Sequence, residues 1–109
     1  MRKLIVLAIV AAVVAAAAVT VPSSAATKSV RVGDNFFRPS SATVSRGTTV
    51  VWRFVGSSQH NVTVTSGPVR FRSSNRRSGS YRKRVTRRGT YRIICTIHGS
   101  SQRMTLRVR

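Results

Sequence analysis

The sequence predicts an all-β protein, a small antiparallel β-sandwich of about seven strands. Two observations point there. From residue 27 onward, apolar and polar side chains alternate with a period of two in short runs rich in threonine, valine and aromatics. Turn residues separate the runs, and no stretch of this region keeps a helical period for long.

The runs can be taken in chain order. Val30 and Val32 share a face across Arg31, and Gly33-Asp34-Asn35 supplies a turn. Val50, Trp52 and Phe54 face one way, with Thr49, Val51, Arg53 and Val55 opposite; Arg46-Gly47 precedes the run and Gly56-Ser57-Ser58 follows it. Val62 and Val64 alternate with threonines, with His60 opening that strand. Val69 and Phe71 alternate with Arg70 and Arg72 beyond the Gly67-Pro68 turn. Residues 72–80 are polar and loop-like, and Ser78-Gly79 and Arg88-Gly89 are further turns. Tyr91, Ile93 and Cys95 share a face, as do Met104, Leu106 and Val108.

Residues 1–26 read as an address rather than a fold element. Arg2 and Lys3 precede an apolar stretch from Leu4 to Val19, and Pro22 with Ser23-Ser24-Ala25-Ala26 gives a small-residue processing site. This is the pattern of a secretory signal peptide, a helix cut after Ala26. The competing reading is an uncleaved anchor that keeps the chain at the membrane. In either case residues 27–109 form the working domain and are exported across the cytoplasmic membrane.

The charge is extreme. The 109 residues include seventeen arginines, three lysines and a single acid, Asp34, for a net charge of +19. Without paired carboxylates, two-acid glycoside hydrolysis is excluded, as is an oxygen-rich cage for calcium or magnesium. Clustered arginine invites a polyanion reading. Much of it has a plainer explanation, since Arg31, Arg53, Arg92, Arg107 and Arg109 fall at the solvent-facing positions of half-buried strands.

Three residues carry chemistry: His60, Cys95 and His98. Cys95 is the only cysteine, so no intramolecular disulfide forms, and an odd thiol in an exported chain is an intermolecular partner, a reactive group or a ligand. Cys95 closes a strand and His98 follows in a tight turn, so a thiolate and an imidazole can aim at one spot. With His60 as third donor, two His and one Cys make a trigonal set that suits copper. Taken singly, each has a blander reading: a buried cysteine is often just a small hydrophobe. Zinc is a poor rival, since structural zinc wants four strong ligands. A Cys-His nucleophile is weakened because no aspartate lies nearby in sequence to orient the base.

Around these residues the mature chain resembles a cupredoxin of the plastocyanin/azurin group, the type 1 blue copper proteins, in a small bacterial exported form. The similarity runs through Val30-Arg31-Val32-Gly33-Asp34-Asn35-Phe36-Phe37-Arg38-Pro39, Ala42 to Trp52, His60-Asn61-Val62-Thr63 and Gly89 to His98. It implies a Greek-key sandwich and one copper ion, cycling between Cu(I) and Cu(II), on His60, Cys95 and His98. Asn61 would tie the ligand loops together, with Thr96 beside it. The weak axial ligand departs from the pattern. Methionine is usual three to five residues after the second histidine, whereas Met104 lies six beyond His98. Ungapped alignment puts Gln102 at the axial position, with Met104 the alternative.

The resemblance implies a single-electron carrier, not an enzyme, with a redox partner made acidic by the +17 carried once Arg2 and Lys3 are set aside. Phe36, Phe37 and Ile97 would form its apolar docking patch. The alternatives are copper storage or delivery by the same residues, and a basic module gripping an anionic cell-surface polymer through the cations between Arg70 and Arg88. No dedicated nucleic-acid role is expected, because no exposed aromatic ladder is available for stacking.

Overall fold

The computed structural model describes residues 26–109. The expected signal peptide falls outside the described residues, apart from Ala26. Eight strands follow in order: β1 Thr27–Gly33, β2 Phe36–Arg38, β3 Ser41–Val44, β4 Thr48–Phe54, β5 Thr63–Ser66, β6 Ser80–Val85, β7 Gly89–Cys95 and β8 Gly99–Val108. They form two four-stranded sheets, ordered β2-β1-β4-β6 and β3-β8-β7-β5. Among the described residues there is no helix.

Strand direction is mixed. Four ladders are antiparallel, but β1 runs parallel to β4 and β3 parallel to β8. Side-chain alternation is the same in both kinds of ladder, so periodicity does not carry strand direction.

The alternation sorts the side chains as expected. Val30, Val32, Val50, Trp52 and Phe54 from the first sheet meet Val64, Tyr91, Ile93, Leu106 and Val108 from the second, all within the buried core. Each such side chain contributes about 1.5–3 kcal/mol of transfer free energy. Trp52, fully buried on β4, donates its indole N–H across the sandwich to Met104 Sδ on β8 at 3.4 Å. Phe71, Tyr81 and Tyr91 extend this contact into an aromatic cluster, with ring centroids 5.8–6.3 Å apart.

Two segments differ from the sequence expectation. Val69 and Phe71 pack against the core from an irregular segment rather than a strand, held to β5 by Val64 N–H donating to Phe71 O. His60 does not open a strand: β5 starts at Thr63, and His60 instead forms an isolated bridge with Arg76. That bridge pins the polar 72–80 loop, as does Ser73, which is buried and whose Oγ accepts from Val62 N–H at 2.9 Å.

The outer faces of the two sheets are unequal. On the first sheet Arg31 lies directly opposite both Arg38 and Arg53. On the second, Arg107 is flanked by Thr43 and Thr90, and Arg92 lies opposite Thr105. The arginines therefore adjoin one another on one face and are separated by threonines on the other.

Candidate metal centre

The ends of β1, β4 and β7 and the start of β8 converge at one end of the sandwich. His60 reaches it from the β4–β5 loop and is fully buried, fixed through its backbone, which donates to Arg76 O at 2.9 Å and accepts from Arg76 N–H at 2.8 Å. Cys95 ends β7, where the register with β8 shifts, and is also fully buried. The chain then turns tightly: His98 N–H donates to Cys95 O at 3.2 Å, and Gly99 sits at φ +68, a conformation that favours glycine. The turn brings His98 Nδ1 to 3.6 Å from Cys95 Sγ, while His60 Nδ1 lies 3.9 Å from the same sulfur.

One ligand atom from each of the three residues lies within 4.8 Å of the others. Bonds of the length that imidazole and thiolate make to zinc, about 2.0–2.3 Å, opened to a trigonal angle hold their donors roughly 3.5–4 Å apart. The spacing around Cys95 Sγ thus suits one ion of that size.

Gln102 and Met104 are both buried on the inner face of β8, but their polar atoms go different ways. Gln102 Nε2 donates to Gly33 O at 2.7 Å and Phe36 O at 2.9 Å. Those two carbonyls dictate the amide's orientation and leave Oε1 3.1 Å from His60 Nδ1. Met104 Sδ instead accepts the Trp52 indole N–H.

Asn61 is fully buried and uses its whole amide. Its Oδ1 accepts from Thr96 N–H at 3.1 Å and Thr63 Oγ1 at 2.8 Å, and its Nδ2 donates to Thr96 Oγ1 at 2.7 Å and Asn75 Oδ1 at 2.9 Å. It thereby joins the His60 loop, the Cys95 turn and the 72–80 loop. The expected docking patch is corrected in one member: Phe37 is 3 % exposed and belongs to the core, because its backbone pairs with Val32 and its ring points inward. Ile97, beside His98, is 47 % exposed.

Sequence reasoning missed Asp34. No aspartate is near Cys95 along the chain, yet the fold brings Asp34 Oδ1 to 2.9 Å from His60 Nε2. Its one available signal was its singularity, a lone acid among twenty cations followed later by a donor-rich Gly-Ser-Ser loop. Hydrogen bonds from Ser57, then His60, then Ser58 hold its carboxyl well below the usual carboxylate range.

Together these contacts set a condition on the site. With Nε2 directed at Asp34 Oδ1, the ring of His60 turns its Nδ1 inward. There it meets Gln102 Oε1 and Cys95 Sγ, both electron-pair donors. Nδ1, Oε1 and Sγ can each offer an unshared electron pair to one cation placed among them. The donor set therefore fits a soft, nitrogen- and sulfur-seeking metal.

No family model matches the chain, and no curated protein matches it. Solved structures do. A plastocyanin mutant from a fern shares 29% identity, covering 74% of this chain and 99% of its own, at a TM-score of 0.61. The purple cupredoxin of Nitrosopumilus maritimus shares 18%, covering 75% and 99%, at 0.67. The chain has the cupredoxin fold. A methionine-to-glutamine variant of amicyanin, in its Cu(I) form, superposes at a TM-score of 0.68 with 24% identity, covering 83% of this chain and 97% of its own. The same cupredoxin architecture matches part of a copper-containing nitrite reductase from Thermus scotoductus at 25% identity and 0.65, where the chain spans only 23% of the enzyme's length. The His60–Cys95–His98 cluster is a site that could hold the one copper ion such a fold binds.

Proposed function

We propose that this protein is a type 1 copper protein that carries single electrons outside the cytoplasmic membrane, with residues 1–26 its export signal and 27–109 its copper domain. The observation that carries the reading is the convergence of unshared electron pairs from His60, Cys95, His98 and Gln102 on one buried point. Copper bound there would supply a one-electron Cu(II)/Cu(I) couple. The chain's own residues do the rest. Asn61 keeps the two ligand loops from separating, which limits rearrangement between oxidation states. Burial of Cys95 excludes water and substrates from the thiolate, which favours a carrier over an enzyme. His98 is the one half-exposed member of the cluster, and with Ile97 beside it offers the short route for an electron to a partner.

In this proposal Gln102 is the weak axial neighbour rather than Met104. The committed Nε2 of Gln102 and the Trp52-bound sulfur of Met104 support that choice. The redox partner would be acidic, and association salt-sensitive.

Adding Cu(II) to the purified protein tests the reading. The expected result is an intense visible thiolate-to-copper band, absent from a Cys95→Ala control. A colourless protein indifferent to copper sinks it. Copper that binds but does not exchange electrons at a measurable potential would favour storage or delivery.

A second reading has one observation in its favour: the adjoining arginines on the first sheet, where Arg31 opposes Arg38 and Arg53. Such a face suits an anionic cell-surface polymer. Salt-sensitive retention on heparin, lost when Arg31 and Arg53 become serine, would support it alongside copper.

A further inference from the structure

Seventeen arginines accompany one aspartate in the sequence, yet among the described residues the side chain of Asp34 bonds to none of them and meets a histidine instead. Both oxygens of the carboxylate are held, although the side chain is 47 % exposed. Ser57 donates to Oδ2 through its N–H at 3.3 Å and its hydroxyl at 2.8 Å. Ser58 donates to Oδ1 through its N–H at 3.4 Å and its hydroxyl at 3.0 Å. His60 Nε2 completes the set at 2.9 Å. Asn35, at φ +67, makes the turn that lets Asp34 lean across.

The approach also depends on an absent side chain. A Cβ on Gly56 would stand 2.5 Å from Asp34 Oδ1 and 2.7 Å from His60 Nε2, inside the contact distance of either atom. Residue 56 must be glycine for the pair to form. Four donors hold an acid in place, and a fifth contact aims it at the outer nitrogen of a ring whose inner nitrogen faces the thiolate.

We propose that Asp34 is a positioning residue for the copper centre, fixing through Nε2–H which nitrogen of His60 faces Cys95 and placing a negative charge against the ring that favours Cu(II) over Cu(I). The inference rests on the copper reading and deepens it. A carboxylate behind a metal-bound imidazole orients the ring and raises its basicity, and loss of such partners typically lowers metal affinity about 10–100-fold. A negative charge stabilises the ion of higher charge more, so the carboxylate lowers the reduction potential.

Charge and hydrogen bond can be separated. Asp34→Asn keeps an oxygen for Nε2–H but removes the charge. It is expected to raise the reduction potential with the visible band little changed. Asp34→Ala removes both, and is expected to alter the band and lower Cu(II) affinity about 10–100-fold. Gly56→Ala keeps the charge but forces the pair apart, and should reproduce the altered band. Thr90→Lys, exposed at the far end of β7, changes the net charge by the same amount as Asp34→Asn and should move the potential far less.

One readout needs no copper. In the metal-free full chain, nitrogen NMR of His60 should show a protected Nε2 proton that Asp34→Ala releases to solvent exchange. Equal potential shifts from Asp34→Asn and Thr90→Lys would reduce the effect to net charge and overturn the proposal. So would an Asp34→Ala protein with unchanged band, affinity and Nε2 exchange. A wild-type chain that stays colourless while the Nε2 proton is protected would instead remove the copper reading and leave the hydrogen bond standing.

Discussion

Replacing Gln102 by leucine separates the two candidates for the axial position and has a cost that can be worked from the contacts. Leucine nearly fills the space of the amide, so little cavity forms. What is lost is the pair of donated hydrogen bonds to Gly33 O and Phe36 O. The first lies in a buried setting, where stranding an acceptor costs about 1–3 kcal/mol; the second is partly buried and costs about 1 kcal/mol. Apolar burial by leucine returns part of this, so the metal-free protein should lose roughly 2–3 kcal/mol. For a domain of this size that is a fall in Tm of about 10–20 °C. The copper-loaded variant should also change its visible spectrum and reduction potential, because Oε1 no longer faces the ion. Met104→Leu is the partner experiment. It strands the Trp52 indole N–H, costing about 1–3 kcal/mol, but leaves the spectrum alone. Urea unfolding of the metal-free proteins and spectroscopy of the loaded ones read both quantities. A spectrum altered only by Met104→Leu, or a Gln102→Leu loss below about 0.5 kcal/mol, would refute the reasoning.

Other expectations follow from the same contacts. Asn61→Ala removes four hydrogen bonds from a fully buried amide and should cost about 2–4 kcal/mol by urea unfolding, with copper released faster. Burial raises Tyr81 and Tyr91 above the usual 10.0, and Tyr91 Oη donates to Arg87 O at 2.8 Å. A raised pKa means the neutral form belongs to the fold, so this contribution is complete below pH 10 and lost as pH rises past it; absorbance at alkaline pH should show both phenols ionising later in the folded chain than in the unfolded one. With Arg31 opposed by two like charges and one acid in the whole chain, added NaCl should raise Tm rather than lower it, since screening relieves repulsion. A Tm that falls between about 0.01 and 0.5 M salt would mean that attraction dominates.

The sandwich was legible because its core residues alternate so cleanly. Val50, Trp52 and Phe54, or Met104, Leu106 and Val108, announce both a strand and its buried face. His60, Cys95 and His98 were legible because thiolate and imidazole are rare enough here for their spacing to carry meaning. Strand direction was not, because alternation is blind to it. Nor was the irregular course of Val69 and Phe71, whose apolar spacing is that of a strand although only a few backbone bonds hold the segment to β5. Asp34 read as part of a turn, which it is. Its reach to His60 depends on the β1–β2 and β4–β5 loops meeting in space, and nothing local in the sequence encodes that meeting.

The ladders also carry a kinetic consequence. Gln102 meets Gly33 across 69 positions of chain, and Ser41 pairs in parallel with Thr105. Folds dominated by such distant pairings close in milliseconds to seconds rather than microseconds. Until they close, the single thiol is open to oxidants; afterwards it has no exposed surface. Sealing the sulfur and assembling the cage around it are one event. In an oxidising medium, the lifetime of the open chain, more than the affinity of the finished pocket, would set how much protein ever becomes competent to take up metal.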